Sequence, residues 1–413
     1  MTQGGAATGR RVGLVLSGGG ARGAYEAGVV CHLLEHVLPQ LPPGTEFHVV
    51  SGTSVGAIHA GYVMASAGAP PAERAQRLTA TWSEMLVGNV VRLGLTDLVG
   101  VPLRALGWSR LMRRPPGDGE TEVVGGLVDV APLERIVNER IPWRSLRKNL
   151  GKGRALCVSC TDVRSGLGTV FLDGPLADPA PWAYDPNATA LRAEIGPAHV
   201  RASAAIPFLF PAVRVGERFY VDGGLRMNTP LSPVLRLGCD RVLVVGVKHR
   251  RLPDEALPDF PVEAITQPAF LLGKVLDALL LDQLEVELQR LQVVNAVLAR
   301  GEEAFGADFL PKINVAVREK RGVGYRHVDH AIVRPSEDLG GIAAAAYRKG
   351  RARGSLGVLP ALVTRLALRG VPEFEADLLS YLFFDRSFTG ELLALGREDA
   401  RRQEDVFLDL LAD

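Results

Sequence analysis

Short apolar runs alternate with helical stretches along most of this chain. The runs Val12–Leu16, Phe47–Val50, Ala155–Val158, Thr169–Leu172, Arg218–Val221 and Val242–Val247 read as strands. Helical patterns follow the first two, from Ala24 to about Leu38 and over the small-residue stretch Ala57–Ala67. This alternation predicts a three-layer α/β/α fold, a mostly parallel sheet with helices on both faces. From Leu281 onward, Leu284, Leu288, Leu291, Val294 and Leu298 step by three or four, which predicts one long amphipathic helix packed on the sheet. A further strand, Ala331–Val333, stops at Arg334-Pro335-Ser336, and from about Gly340 to Asp413 the pattern turns helical. We therefore divide the chain into a loose tail at 1–10, a main domain at 11–339 and an appended C-terminal helical region at 340–413.

Candidate chemistry sits where the second strand ends. Gly52-Thr53-Ser54-Val55-Gly56 has the form G-x-S-x-G between a strand and a helix, the setting of a nucleophile elbow. Gly52 and Gly56 leave room for the tight turn, and the following helix points unpaired N–H groups toward Ser54. Upstream, Val12–Leu16 runs into Ser17-Gly18-Gly19-Gly20-Ala21-Arg22-Gly23 before the first helix. Gly18, Gly20 and Gly23 also satisfy G-x-G-x-x-G, the dinucleotide-binding turn. That reading needs an acidic residue at the end of the second strand, and here Ser51-Gly52 stand in its place. Backbone N–H groups bared by missing side chains suit any developing anion, an acyl-transfer oxyanion included. The third element is Arg218-Phe219-Tyr220-Val221-Asp222-Gly223-Gly224, in which Asp222 closes a strand at a turn and offers a base.

These three blocks in this order, with Ala202-Ser203-Ala204-Ala205-Ile206-Pro207-Phe208-Leu209-Phe210-Pro211 ahead of the aspartate, resemble the patatin-like phospholipase family. The resemblance brackets residues 12–224 and implies a patatin-like sheet, with Ser54 as nucleophile and Asp222 as its base. It implies an oxyanion hole in the glycine loop Gly18, Gly19 and Gly20, through the N–H groups of Gly19 and Gly20. Arg22, Gly23, Gly52, Gly56, Gly223 and Gly224 support the motifs. Arg22 is expected to fix the loop or meet a phosphate, its plain alternative being a surface ion pair. The implied chemistry is hydrolysis of a carboxylic ester of a phospholipid or lysophospholipid through an acyl-enzyme, with no metal or other cofactor. A non-catalytic membrane-binding or scaffold protein on the same fold stays open as an alternative, and so does a dinucleotide enzyme.

The remaining chemistry-bearing residues change this picture little. His59, five residues past Ser54 on a helix, points away from it. His327 and His330 would complete the order Ser, Asp, His of an α/β-hydrolase triad, but the glycine loop and Asp-Gly-Gly block match the dyad better. His249 beside Lys248 and Arg250 reads as solvent-facing. Cys157 and Cys160 lie three apart in one strand, on opposite faces, so they do not share a metal; with Cys31 and Cys239 they predict a reduced, cytoplasmic chain. Forty-seven Lys+Arg against 46 Asp+Glu give no case for nucleic acid. Phe47–Ala72 is free of Asp, Glu, Lys and Arg, but its elbow glycines and Pro70-Pro71 mark a buried strand–turn–helix rather than a membrane span.

The resemblance also implies a variable cap or lid region, at residues 86–150. Leu86–Trp108 is rich in apolar residues with only Arg92, Asp97 and Arg104 as charges, and Arg110, Arg113 and Arg114 follow. Between Arg104 and Arg154 there are 11 Lys+Arg against 6 Asp+Glu. The segment reads either as a lid packed on the catalytic domain or as a peripheral contact with an anionic membrane surface. Oligomeric state is not legible.

Overall fold

The computed structural model describes residues 10–85, 123–124, 130–207, 209–250, 283–352 and 377–412. Most of the 86–150 cap, including Leu86–Trp108, Arg110, Arg113 and Arg114, lies outside them.

Ten strands form one sheet among the described residues: β1 (Val12–Leu16), β2 (Val49–Thr53), β3 (Val123–Val124), β4 (Ala155–Asp162), β5 (Gly168–Asp173), β6 (Ala188–Arg192), β7 (Ala212–Val215), β8 (Arg218–Asp222), β9 (Arg241–Val245) and β10 (Asp329–Val333). The central strands run β10-β9-β1-β2-β4, all parallel. β4 is where the sheet changes character. β5 pairs antiparallel along residues 156–161 of β4, so its other edge is left to two strands in turn. β2 occupies that edge as far as Ser159, and β8 takes it from Cys160 to Asp162, running the opposite way. β7 and β3 continue outward from β8, and β6 lies beside β5.

Among the described residues the α-helices of six or more residues are α1 (Gly23–His32), α2 (Val55–Ser66), α3 (Pro71–Glu84), α4 (Ala131–Arg140), α5 (Trp143–Leu150), α6 (Pro197–Ser203), α7 (Leu231–Arg236), α8 (Gln283–Phe305), α9 (Phe309–Arg321), α10 (Leu339–Ala352), α11 (Asp377–Leu382), α12 (Arg386–Arg401) and α13 (Glu404–Leu411). Period-two alternation of the strands sorts the core into two layers. Leu14, Leu16, Val50, Val158 and Val245 face one side, with α1, α2 and α12. Val15, Val49, Cys157, Val242 and Val244 face the other, with α7 and the Leu284, Leu288 and Leu291 stripe of α8. Cys157 and Cys160 fall in different layers, both as free buried thiols.

The helices after Gly340 contribute Phe383, Phe388, Leu392, Phe407 and Leu411 to the same layer as α1 and α2. α1 and α12 cross at glycines: a Cβ on Gly28 would land on the Leu393 carbonyl oxygen, and one on Gly396 on that of Tyr25. Two strand limits differ from the apolar pattern. β2 runs on through Ser51, Gly52 and Thr53, which pair with β1 and β4 although Ser-Gly resembles a turn. β6, with the burial of an edge strand and the sequence Ala-Thr-Ala-Leu-Arg, carries no apolar run to announce it.

Candidate active site

Ser54 joins β2 to α2 with φ 55° and ψ −125°, the only non-glycine residue at positive φ among those described. An L side chain rarely accepts this conformation, and its neighbours hold it there. A Cβ on Gly52 would strike the Gly56 carbonyl, and one on Gly56 the carbonyl oxygen of Leu16, so the turn closes only with glycine at both positions. The Ser54 N–H donates to Ser203 Oγ at 2.9 Å, and that hydroxyl donates to the Ser159 carbonyl at 2.6 Å. Ser203 thus ties the elbow to β4. The sequence block Ala202–Pro211 contained it without showing this role.

The register of β4 brings the aspartate to the serine. Thr53 is opposite Ser159, and Asp222 is opposite Cys160, the next residue along the same edge. β2 and β8 therefore point their C-terminal ends at each other, and the residue following Thr53 meets the residue ending β8. The Asp222 carboxyl is 2% exposed, lies close enough to the Ser54 side chain for that group to lower its pKa, and accepts from Gly224 N at 2.7 Å through Oδ1. Burial pushes its pKa up to about 6 against the pull of those two groups. Its backbone is fixed as well: Asp222 N donates to the Ala205 carbonyl, and Thr161 Oγ1 donates to the Asp222 carbonyl. Cys160, raised by burial and then by the Asp222 charge, stays a thiol. Gly223 lets the turn pass the Ser159 carbonyl, which a Cβ would hit.

The glycine loop lies against this pair. A Cβ on Gly18 would come within 3.1 Å of Ser54 Cβ, and one on Gly23 would run into Val55. Gly18, grouped with Gly19 and Gly20 in the sequence reading, has its N–H taken by the Asn228 carbonyl at 3.0 Å. No described hydrogen bond takes up the N–H of Gly19 or Gly20. Gly20 has φ 56°, and its Cα faces the Tyr381 carbonyl oxygen so closely that a Cβ would collide with it.

A buried chain of polar groups that no motif announces supports the loop from behind. Glu26 Oε2 accepts from Ser17 N at 2.7 Å, and Glu26 Oε1 is 2.5 Å from His59 Nδ1. Trp82 Nε1 can only donate, and it does so to His59 Nε2 at 2.9 Å, so His59 carries its proton on Nδ1 and gives it to Glu26. Burial raises the Glu26 pKa, while His59 and Ser17 work to lower it. The Ser17 hydroxyl donates to the Val245 carbonyl and accepts from Thr229. Arg22 is not on the surface: it is 3% exposed, its Nε donates to Ser380 Oγ at 2.7 Å, and its guanidinium lies 4.3 Å from the Tyr381 ring centroid. It clamps the loop to α11 from a buried position, where the sequence had offered a surface one as its plain alternative.

Three further histidines sit elsewhere. His327 bonds Glu302 of α8 at 2.8 Å, His249 meets the Pro335 carbonyl at 2.9 Å and is half-buried rather than fully in solvent, and His330 is on β10, three strands from β2. Among the described residues no group of three or more His, Cys, Asp or Glu could hold a metal, and no helix is long and apolar enough to cross a membrane.

Fold and site together define an α/β protein with a strained serine elbow beside a buried carboxylate and a glycine loop. Within that class the chain belongs to the patatin-like phospholipase family, whose sequence profile matches residues 14–235, more than half of the 413. Among solved structures it is similar to VipD from Legionella pneumophila, at 14% identity over 94% of this chain and 67% of that one, with a TM-score of 0.33. It is also similar to human GIVD cytosolic phospholipase A2 in complex with methyl gamma-linolenyl fluorophosphonate, at 11% identity over 97% of this chain, with a TM-score of 0.38. The match spans 58% of the human chain, somewhat more than half its length. At these scores the likeness does not reach detailed geometry.

Proposed function

We propose that the protein is a lipid acyl hydrolase that cleaves carboxylic ester bonds of phospholipids or lysophospholipids with Ser54 as nucleophile and Asp222 as general base. The observation that carries this reading is the meeting of β2 and β8 on one edge of β4, which sets a strained serine against a desolvated carboxylate. With a pKa of about 6, Asp222 is ionised at neutral pH yet a stronger base than an exposed aspartate, as a proton acceptor should be.

In the proposed reaction the Ser54 hydroxyl attacks the ester carbonyl and its proton passes to Asp222. The oxyanion is held by the N–H groups of Gly19 and Gly20, with the N-terminal end of α2 favouring negative charge at the same place. The alcohol leaves with the proton from Asp222, and an acyl-Ser54 ester remains. Water, deprotonated by Asp222, then attacks that ester, and as the fatty acid is released the proton passes from Asp222 back to Ser54 Oγ. Such a reaction is metal-free, and the family supplies the lipid substrate class.

A fluorophosphonate probe with a soluble ester assay tests the assignment. The wild-type protein should label at Ser54 and hydrolyse the ester, and Ser54→Ala should do neither while keeping its circular-dichroism spectrum. Hydrolysis persisting in a clean Ser54→Ala preparation would remove Ser54 from the chemistry. A wild-type protein that binds lipid vesicles but neither labels nor hydrolyses would favour the non-catalytic alternative.

A further inference from the structure

On the side of the sheet away from α2, α7 and α8 and the chain at 320–328 surround a cavity of about 1120 Å³. Much of its wall is apolar, including Leu235, Leu291, Val294 and Val328, and Val286 and Val293 on the outer face of α8 line it while remaining 48% and 54% exposed. Six cations also line it, Arg226, Arg236, Arg290, Lys320, Arg321 and Arg326, against two carboxylates, Asp185 and Glu287. In a chain of net charge +1 this is a strong local excess.

The two carboxylates are already engaged. Asp185 pairs with Arg236 at 2.6 Å, and Glu287 accepts from the N–H groups of Leu231 and Ser232 and faces Arg290. Arg226 Nε donates to the Gly166 carbonyl. Lys320, Arg321 and Arg326 have no ion pair among the described residues. Arg321 and Arg326 are half-buried, and Arg321 lies 5.3 Å from the Tyr325 ring centroid. Burial lowers the pKa of both, and like charges add to it, Arg236 and Arg326 acting on Arg321, and Arg11 and Arg318 acting on Arg326. Cys239 and Asp240 oppose the like charges at Arg326, and Tyr325 and Asp185 oppose them at Arg321, without making an ion pair. Crowded, half-dehydrated guanidinium groups above apolar walls are a poor arrangement for an empty surface and a good one for an anion with a hydrocarbon tail.

We propose that this cavity is an accessory binding site for a single-chain anionic amphiphile, its phosphate or carboxylate head held by Lys320, Arg321 and Arg326 and its chain laid along α8. Binding here is independent of chemistry at Ser54, and no residue holding the head belongs to the elbow, the glycine loop or the Asp222 turn. The two sources of such a ligand, a lysophospholipid-like phosphate and a free fatty acid, share the same head-and-tail recognition.

Calorimetric titration of the full chain with dodecyl phosphate and with laurate, each below its critical micelle concentration, tests the site and shows which head is preferred. Dodecyl maltoside and inorganic phosphate serve as the tail-only and head-only controls. The preferred amphiphile should bind at least tenfold more tightly than either control, more weakly as salt rises, and at least tenfold more weakly to the double variant Arg321→Ser, Arg326→Ser. That variant should keep fluorophosphonate labelling of Ser54 if the wild type labels. Val293→Glu, a substitution at a half-exposed position that puts a carboxylate at the mouth, should weaken binding in the same direction and guards against misfolding of the double variant. Equal binding of dodecyl maltoside would make the cavity merely apolar, and equal binding of inorganic phosphate would make it a plain anion patch. Either result overturns the proposal, as does unchanged affinity in both variants.

Discussion

Replacing Asp222 with asparagine should abolish most of the activity and at the same time stabilise the protein at neutral pH. The carboxyl is buried at 2% exposure, and burial moves its pKa from 3.8 to about 6. That displacement corresponds to about 3 kcal/mol of preference for the neutral form in the folded state. The sign follows from linkage: a folded-state pKa above the unfolded one gives a contribution fully present below 3.8 and lost as pH rises through about 6. Asparagine keeps the shape, accepts the Gly224 N–H as Asp222 does, can donate to Ser54, and does not ionise. Urea denaturation of both proteins from pH 4 to pH 7 reads the difference directly. The advantage of Asp222→Asn should grow across that range by about 2.5 kcal/mol and level off above pH 6 to 7. Ester hydrolysis by the wild type should rise with pH through the same pKa of about 6, falling about tenfold per pH unit below it, and Asp222→Asn should lose about 10²–10⁴-fold. A stability difference independent of pH, or wild-type hydrolysis flat between pH 5 and 7, would refute the desolvated-base argument.

Glu26→Gln should lower kcat about 10- to 100-fold with little change in KM, because the Ser17 anchor acts on donors used only when the oxyanion forms. Steady-state kinetics on a soluble ester reads the split, and unchanged kcat would mean that the loop does not need the carboxylate. Two glycines of α2 make a paired stability test by thermal denaturation. Gly56→Ala, whose Cβ meets the Leu16 carbonyl, should cost about 1–3 kcal/mol or more, whereas Gly61→Ala, whose nearest contact is 3.4 Å from Trp143, should be neutral or gain up to about 1 kcal/mol. Equal melting temperatures for the two variants would contradict the packing of the elbow.

What the sequence made legible was local. G-x-S-x-G between strand and helix signalled the elbow, and the period of α8 its buried stripe, because both are written in neighbouring residues. The strand pairing that sets Ser54 beside Asp222 depends on where β2 gives way to β8 along β4, and nothing within either segment encodes that position. Ser203, 149 residues from Ser54, and the Ser380 partner of Arg22, 358 residues away from it, were opaque for the same reason. Glu26 carries no signal in the local pattern: α1 is buried on every side, and only the converging Ser17 and His59 explain a carboxylate there.

Strain and charge burial at this junction point the same way. Ser54 holds a backbone conformation that costs about 1–3 kcal/mol, and Asp222 holds a carboxylate that costs about 3 kcal/mol to keep ionised at neutral pH. Each is relieved by a trivial change, glycine at 54 or asparagine at 222, and neither change would disturb the hydrophobic layers of the sheet. A fold selected for stability alone would have no reason to place both costs side by side on one edge of one strand. Their neighbours moreover lock them in: Ser203 ties the elbow to β4, Thr161 and Ala205 hold the Asp222 backbone, and Gly52, Gly56 and Gly223 have room for no side chain. The junction is built to hold a serine and a carboxylate in a geometry that they would not adopt unaided, which is what preorganisation for nucleophilic attack requires.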